Sequence, residues 1–310
     1  MALGVFLIWY SLSQLSTSDI ASIKNSFKTA NYWWVGLSLL LGVLSHLSRA
    51  YRWQFLLEPL GYKPRFANSV MAVLIAYLLN LFIPRSGEIA RAASIKKYEN
   101  IPFEKAFGTI VAERVADVIM LLFIIGIAFM LQADLIGSYI FKDDDGLAFQ
   151  YKLLILAVFG ILGYLIYRFL KRQKNPFIKK IFNFLQGLLT GVKSIITMKK
   201  KWEFIFHTVF IWLMYVGMFY VVTFALPETT NLPFEAIIVG FVVGGLSMAL
   251  TNGGLGTYPV FVASALILYH VDENPARAFG WIMWTAQTVM VILFGGLSFL
   301  CIPIFNKHNN

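Results

Sequence analysis

Leu79-Asn80-Leu81-Phe82-Ile83-Pro84-Arg85-Ser86-Gly87-Glu88-Ile89-Ala90-Arg91 ends an apolar run that begins near Asn68, and it sets a proline, two arginines and a glutamate where hydrocarbon is expected. Each unpaired ion near a bilayer centre costs about 2.5 to 3.5 kcal/mol on insertion scales, so such charges must pair or meet something polar. Pro84 lacks an amide proton and disfavours helix for the residue before it, so the incoming helix is expected to stop near Ile83. Ser86 is then read as the cap of a second half-helix, with Gly87 and Glu88 in its first turn. The free N–H groups of such a helix start attract an anion, and Arg85 and Arg91 each offer a planar fork of donors beside it. The alternative is a structural network in which Glu88 neutralises one arginine and the other reaches the interface.

The chain around this stretch is that of a membrane protein. Of its 310 residues 58% are hydrophobic and 14% charged, and apolar runs near the length of a bilayer span recur. Spans are expected at 1–15 (incomplete), 32–50, 106–131, 151–170, 203–226 and 279–303. The first run, Ala2 to Leu12, has neither a basic start nor a small-residue cleavage site, so it is read as part of a first helix rather than a signal peptide.

Charge placement decides how the two remaining runs are used. If Asn68 to Pro84 were a simple span, the acidic loop 132–150, with Asp134, Asp143, Asp144 and Asp145, would share a side with Arg52, Lys63 and Arg65. The segment Arg168 to Lys201, with ten basic residues and no acid, would face the opposite side. A re-entrant hairpin over 67–105 restores the positive-inside pattern, and a second over 234–270 enters from the other face. Loops 51–66 and 168–202 then lie in the cytoplasm with both termini, and loops 132–150 and 227–233 outside. The expected fold is an all-α polytopic membrane protein of about six spanning helices plus two re-entrant hairpins, arranged as an inverted-topology repeat. One membrane domain is read over 1–310, with half-repeats at 1–131 and 151–310.

Further along, Glu113, Arg114 and Asp117 lie in GTIVAERVADVIMLLF, residues 108–123. Glu113 and Asp117 share a helix face, and Arg114 is placed to lean toward Asp117. One cation between two acids draws Arg85 or Arg91 from the hairpin. The resulting lattice either locks the fold or opens when a substrate phosphate competes for the arginines. In the second hairpin, Asn252-Gly253-Gly254-Leu255-Gly256 lets backbone bend and approach a ligand, although glycines also serve simple helix packing.

The basic segment carries Phe177, Ile181, Phe184, Leu185, Leu188, Val192 and Ile195 at helical spacing, as an interfacial helix on anionic lipids does; its alternative is a purely topogenic loop. Orientation accounts for the net charge of +10, so nucleic acid is not expected. His46, His207, His270 and His308 form no metal-ligand spacing. His46 lies one turn from Arg49 and, with Arg49 and Arg52, is a further candidate facing a polar cavity. The lone Cys301 excludes an intrachain disulfide, and neither a catalytic signature nor a cofactor motif is found.

Arg49-Ala50-Tyr51-Arg52-Trp53, the segment Asn80 to Arg91, Glu113-Arg114-Val115-Ala116-Asp117 and Gly253-Gly254-Leu255-Gly256 together resemble the flippase-like transmembrane family of lysylphosphatidylglycerol synthases. The resemblance covers nearly the whole chain. It implies a lipid flippase module, with Pro84, Gly87, Glu88 and Arg91, then Glu113, Arg114 and Asp117, then the Gly253 loop as matching motifs. Two departures stand out: the soluble aminoacyl-transferase domain is absent from these residues, so lysyl transfer is not implied, and Tyr258-Pro259 stands where many relatives carry an acid. The function expected is movement of an anionic phospholipid or lipid-linked head group between leaflets of the cell membrane. The alternative is a membrane-embedded enzyme, or an accessory or scaffold subunit in lipid or envelope glycolipid synthesis, with a partner synthase or a second copy as partner.

Overall fold

A computed structural model describes residues 6, 9, 13, 15–132, 168, 195–251 and 253–307. Among them the order is α1 (Thr17–Thr29), α2 (Tyr32–Leu57), α3 (Phe66–Phe82), α4 (Ser86–Glu99), α5 (Phe103–Leu131), α6 (Lys201–Val222), α7 (Phe234–Leu250), α8 (Thr257–Ile267) and α9 (Glu273–Phe305), with 3-10 turns at Glu58–Leu60, Thr223–Ala225 and Pro227–Thr229. Most of the expected spans 1–15 and 151–170, residues 133–150 of the acidic loop, residues 169–194 of the basic segment and Asn252 fall outside the described residues.

Phe103–Leu131, Lys201–Ala225 and Glu273–Phe305 are long and apolar enough to cross a membrane. Their outer faces remain apolar: Leu293, Leu297, Leu300 and Ile304 form an exposed stripe along α9 at helical spacing. Helix α2 is 26 residues long but turns Ser45, His46, Ser48, Arg49 and Arg52 inward. It therefore runs on to Leu57, beyond the expected end at residue 50. Arg52, expected in a basic loop, is instead fully buried, because its charge meets Glu113 and the helix need not stop to hydrate it.

Residues 1–114 and 202–310 form one compact unit, and 115–201 a second that holds the C-terminal half of α5. In the first unit, α3 (17 residues) and α4 (14 residues) fold back on each other, as do α7 (17 residues) and α8 (11 residues). The arms have 17 residues at most, at or below the short end of what crosses a bilayer, as re-entrant hairpins require.

Helix α9 acts as a ruler for both hairpins. Near its start, Asn274 Nδ2 donates to Asp19 Oδ1 of α1 at 2.9 Å. Trp284 Nε1 then donates to Gly253 O, at the tip of the second hairpin, at 2.8 Å. Further on, Gly295 packs against Leu74 and Leu78 of α3. At the end, Asn306 exchanges side-chain hydrogen bonds with Asn68, at 3.0 and 2.9 Å, at the base of the first hairpin. The hairpins thus enter from opposite ends of the 33-residue helix. Their tips meet between: a Cβ on Gly253 would lie 2.7 Å from Leu81 Cδ2. Long helix, hairpin, long helix occurs twice, in α2–α5 and α6–α9, with opposite hairpin sense, which is the geometry of an inverted repeat.

In lipid the apolar effect does not drive helices together, so association relies on close packing. Trp53, Leu57, Ala72, Ala92, Ile95, Ile101, Ala106 and Ile110 fill the core around the first hairpin. Phe219, Val262, Leu266, Ala276, Phe279 and Ile282 belong to the core around the second.

Helix α1 was not expected. Its local signal is a capping box: Ser16 Oγ accepts from Asp19 N at 3.1 Å, and Asp19 Oδ2 accepts from Ser16 N at 2.9 Å. The Ser16 hydroxyl, which donates to Asp19 Oδ2 at 2.6 Å, and after it the bonds from Asn274 and Ser16 N, hold the Asp19 carboxyl down to about 2.

Candidate functional site

The bend between α3 and α4 sets up the site. Helix α3 ends at Phe82, as Pro84 requires, but Ser86 is not the cap. Its hydroxyl donates backward to Ile83 O at 2.8 Å and Leu79 O at 3.2 Å, satisfying carbonyls left over at the end of α3. Asn80 Oδ1 reaches across the bend to accept from Gly87 N at 2.8 Å and so performs the capping. Arg85 occupies the N-cap position in left-handed backbone, φ 62, and its side chain is exposed. A Cβ on Gly87 would meet Ala76 O at 2.1 Å, so only glycine lets the arms close here.

About one turn on from Gly87, Arg91 is buried at 3% exposure. Its guanidinium lies 3.8 Å over the Trp53 ring, whose Nε1 is fixed by a 2.8 Å bond to Thr109 Oγ1. Arg91 Nη1 pairs with Glu113 Oε2 at 2.6 Å. Glu113 Oε1 accepts from Arg52 Nε and Nη2 at 3.3 and 3.2 Å, and Arg52 Nη1 continues to Thr208 Oγ1 at 2.9 Å. One carboxylate therefore joins the two arginines, with α6 tied in through Thr208.

A second, wetter pair lies beside this sealed core. Arg114 Nη2 meets Glu88 Oε1 at 2.8 Å, with side-chain exposures of 42% and 21%. Arg114 thus pairs with Glu88 of the hairpin, beyond the lean toward Asp117 that spacing suggested. Asp117 is buried one turn further along α5 and belongs to the second unit.

A narrow cleft reaches these groups, lined by Arg49, Tyr77, Asn80, Glu88, Arg91 and Arg114 among others. Arg49 Nη2 donates to Tyr215 Oη at 3.4 Å, Tyr215 Oη is 3.2 Å from Tyr77 Oη, and the His46 ring lies 4.5 Å from that of Tyr77. Among the described residues four ionic side chains line the cleft, Arg49, Arg91 and Arg114 with Glu88, for a net charge of +2, and the Arg52–Glu113 pair lies behind Arg91. The arrangement has the chemistry of an anion receptor: forked donors in a low-dielectric pocket, with enough carboxylate to keep them in place when it is unfilled.

Not every expected residue joins this site. Arg85 is exposed and does not line the cleft, and Ser86 and Gly87 are structural parts of the bend. The Gly253–Gly256 loop packs on the first hairpin's tip without lining the cleft; Gly253, Gly254 and Gly256 all adopt positive φ there, so their role in the described structure is the turn itself. Among the described residues no group of His, Cys, Asp and Glu converges as a metal site. Sequence reasoning missed Asn80, Trp53, Tyr77, Thr208 and Tyr215. Only Asn80, a lone amide before the proline bend, carried a local signal.

The sequence pattern of the lysylphosphatidylglycerol synthase TM region matches residues 1–295. A UPF0104 membrane protein of Methanocaldococcus jannaschii is 26% identical over 300 residues, covering 87% of this chain and 84% of its own. A stretch of 94 residues is 30% identical to the protein named glycosyltransferase AglD of Haloferax volcanii, covering 30% of this chain and 15% of that one. No solved structure matches. With a buried cluster of arginines and glutamates set beside a mid-membrane hairpin bend, and a pattern match over nearly its full length, this chain belongs to the lysylphosphatidylglycerol synthase TM region family.

Proposed function

We infer that this protein moves an anionic phospholipid, or the head group of a lipid-linked substrate, between leaflets. The observation that supports this best is the cleft beside the hairpin bend, where the ionic side chains carry net positive charge and reach from the buried Arg91–Glu113 pair to the partly exposed Arg114–Glu88 pair. The head group enters this polar path while the acyl chains stay in lipid, and rocking of the two repeats about the meeting hairpin tips exchanges access. The chain has no chemical step of its own in this reading. It sits in the cell membrane with both termini, the base of the first hairpin and the basic segment in the cytoplasm, where anionic lipids hold that segment. The test is reconstitution in liposomes carrying fluorescent phosphatidylglycerol: translocation above protein-free vesicles, reduced at least tenfold in Arg91→Gln, supports it, and equal rates overturn it.

A second reading makes the protein an accessory subunit in lipid or glycolipid synthesis, favoured by the glycosyltransferase name of the Haloferax relative. Stable co-purification with a synthase and no translocation in liposomes would select it.

A further inference from the structure

Resting on the reading of the cleft as a head-group receptor, we propose that Arg91 and Glu88 divide that head group between them. Arg91 binds its phosphate, and Glu88 selects for a hydroxyl or ammonium group carried beyond it.

Arg91 spends only part of its hydrogen-bonding capacity on protein. Nη1 faces Glu113 and the flat face rests on Trp53. Nε and Nη2, the two donors along one edge of the guanidinium, are buried and have no hydrogen-bond partner among the described residues. That edge is the fork that engages two oxygens of a phosphate at once. Leaving two donors of a buried cation unmet forfeits their hydration without return, so the edge is built for a visiting acceptor. Its existing contacts favour this use. Arg52 keeps Glu113 neutralised whether or not Arg91 leans toward a ligand, and Trp53 holds the guanidinium plane.

Glu88 is the complement, one turn earlier on the same helix and lining the same cleft. Oε1 is taken by Arg114, whereas Oε2 is buried with no partner among the described residues. A carboxylate oxygen only accepts, so its missing partner is an O–H or N–H donor. A phosphodiester whose alcohol carries a hydroxyl or ammonium satisfies both edges, and a phosphodiester of a plain alkyl alcohol satisfies one.

The test is equilibrium binding of short-chain lipids to purified protein in nanodiscs, which separates recognition from transport. Phosphatidylglycerol or phosphatidylethanolamine is expected to bind about tenfold or more tightly than phosphatidylmethanol, as one lost donor to a buried carboxylate implies. Glu88→Ala should erase that preference, and Arg91→Gln should weaken all three lipids about tenfold or more. Glu88→Gln, which keeps the side chain's shape and an acceptor, guards against a misfolded alanine variant: it should lose preference for the ammonium lipid while retaining preference for the hydroxyl lipid. Equal binding of all three lipids to wild type, a preference that survives Glu88→Ala, or unchanged binding by Arg91→Gln overturns the proposal and leaves translocation standing on its own assay. Soluble glycerophosphoglycerol binding as tightly as the lipid would assign the cleft to a free phosphate ester and overturn it too.

Discussion

Arg91 Nη1 lies 2.6 Å from Glu113 Oε2, with side-chain exposures of 4% and 1%. Because Glu113 also holds Arg52, the two partners are not equivalent. Glu113→Ala strands two buried arginines and should cost at least the about 3 to 5 kcal/mol typical of breaking a buried pair. Arg91→Met leaves Glu113 with Arg52 and should cost less. Chemical unfolding in detergent gives the order, and a methionine variant as unstable as the alanine one would contradict the shared carboxylate. An Arg91→Glu, Glu113→Arg exchange should not rescue, since it sets an arginine at 113 against Arg52.

Gly87 is the tightest point of the first hairpin. Gly87→Ala drives a Cβ into Ala76 O, a backbone atom that cannot step aside, and should abolish recovery of monodisperse protein. Gly36 and Gly108 have nothing within 4 Å of the same position, so alanine there should be neutral or stabilising by up to about 1 kcal/mol. Size-exclusion profiles and melting temperatures of the three variants decide it.

The meeting of the hairpin tips can be caught covalently. In a Cys301→Ser background, cysteines replacing Leu81 and Gly253 should cross-link with a mild oxidant, whereas cysteines replacing Leu81 and Glu273 should not. Absence of the first cross-link in folded protein would contradict opposed hairpins meeting inside the bilayer.

The positive-inside pattern, laid on the two ends of α9, predicts sidedness. Lys63 and Lys307 are exposed near the first hairpin's base, and Glu228 and Glu273 are exposed toward the other end. Single cysteines at Lys63 and Lys307 should react with an impermeant maleimide only from the cytoplasmic side, and those at Glu228 and Glu273 only from outside. Labelling of Lys63 and Glu228 positions from one side would defeat the topology.

Where the controlling physics is local, it was readable. Pro84 ends a helix wherever it is placed, since its missing N–H and ring act on adjacent residues, and the glycines at 253, 254 and 256 do mark a turn at positive φ. That the two hairpins run in opposite directions was also legible, through charge parity rather than through any contact. Ser86 misled because a serine before a helix has two uses. It can cap the helix ahead or satisfy the carbonyls behind, and Asn80, folded back across the bend, removed the first option.

By itself the sequence determined that this is a membrane protein with two interrupted hairpins and that its intramembrane charges require partners, because burial cost and backbone stereochemistry belong to residue types. Only the tertiary structure decided the partners. Arg85 and Arg91 are equal as residues, yet one is exposed and the other lies between Trp53 and Glu113. Arg52, placed in a loop by its charge, became the second anchor of Glu113. Which arginine meets which carboxylate depends on distances between helices far apart in the chain. Coulomb attraction and hydrogen-bond geometry act on those distances, and no local pattern encodes them.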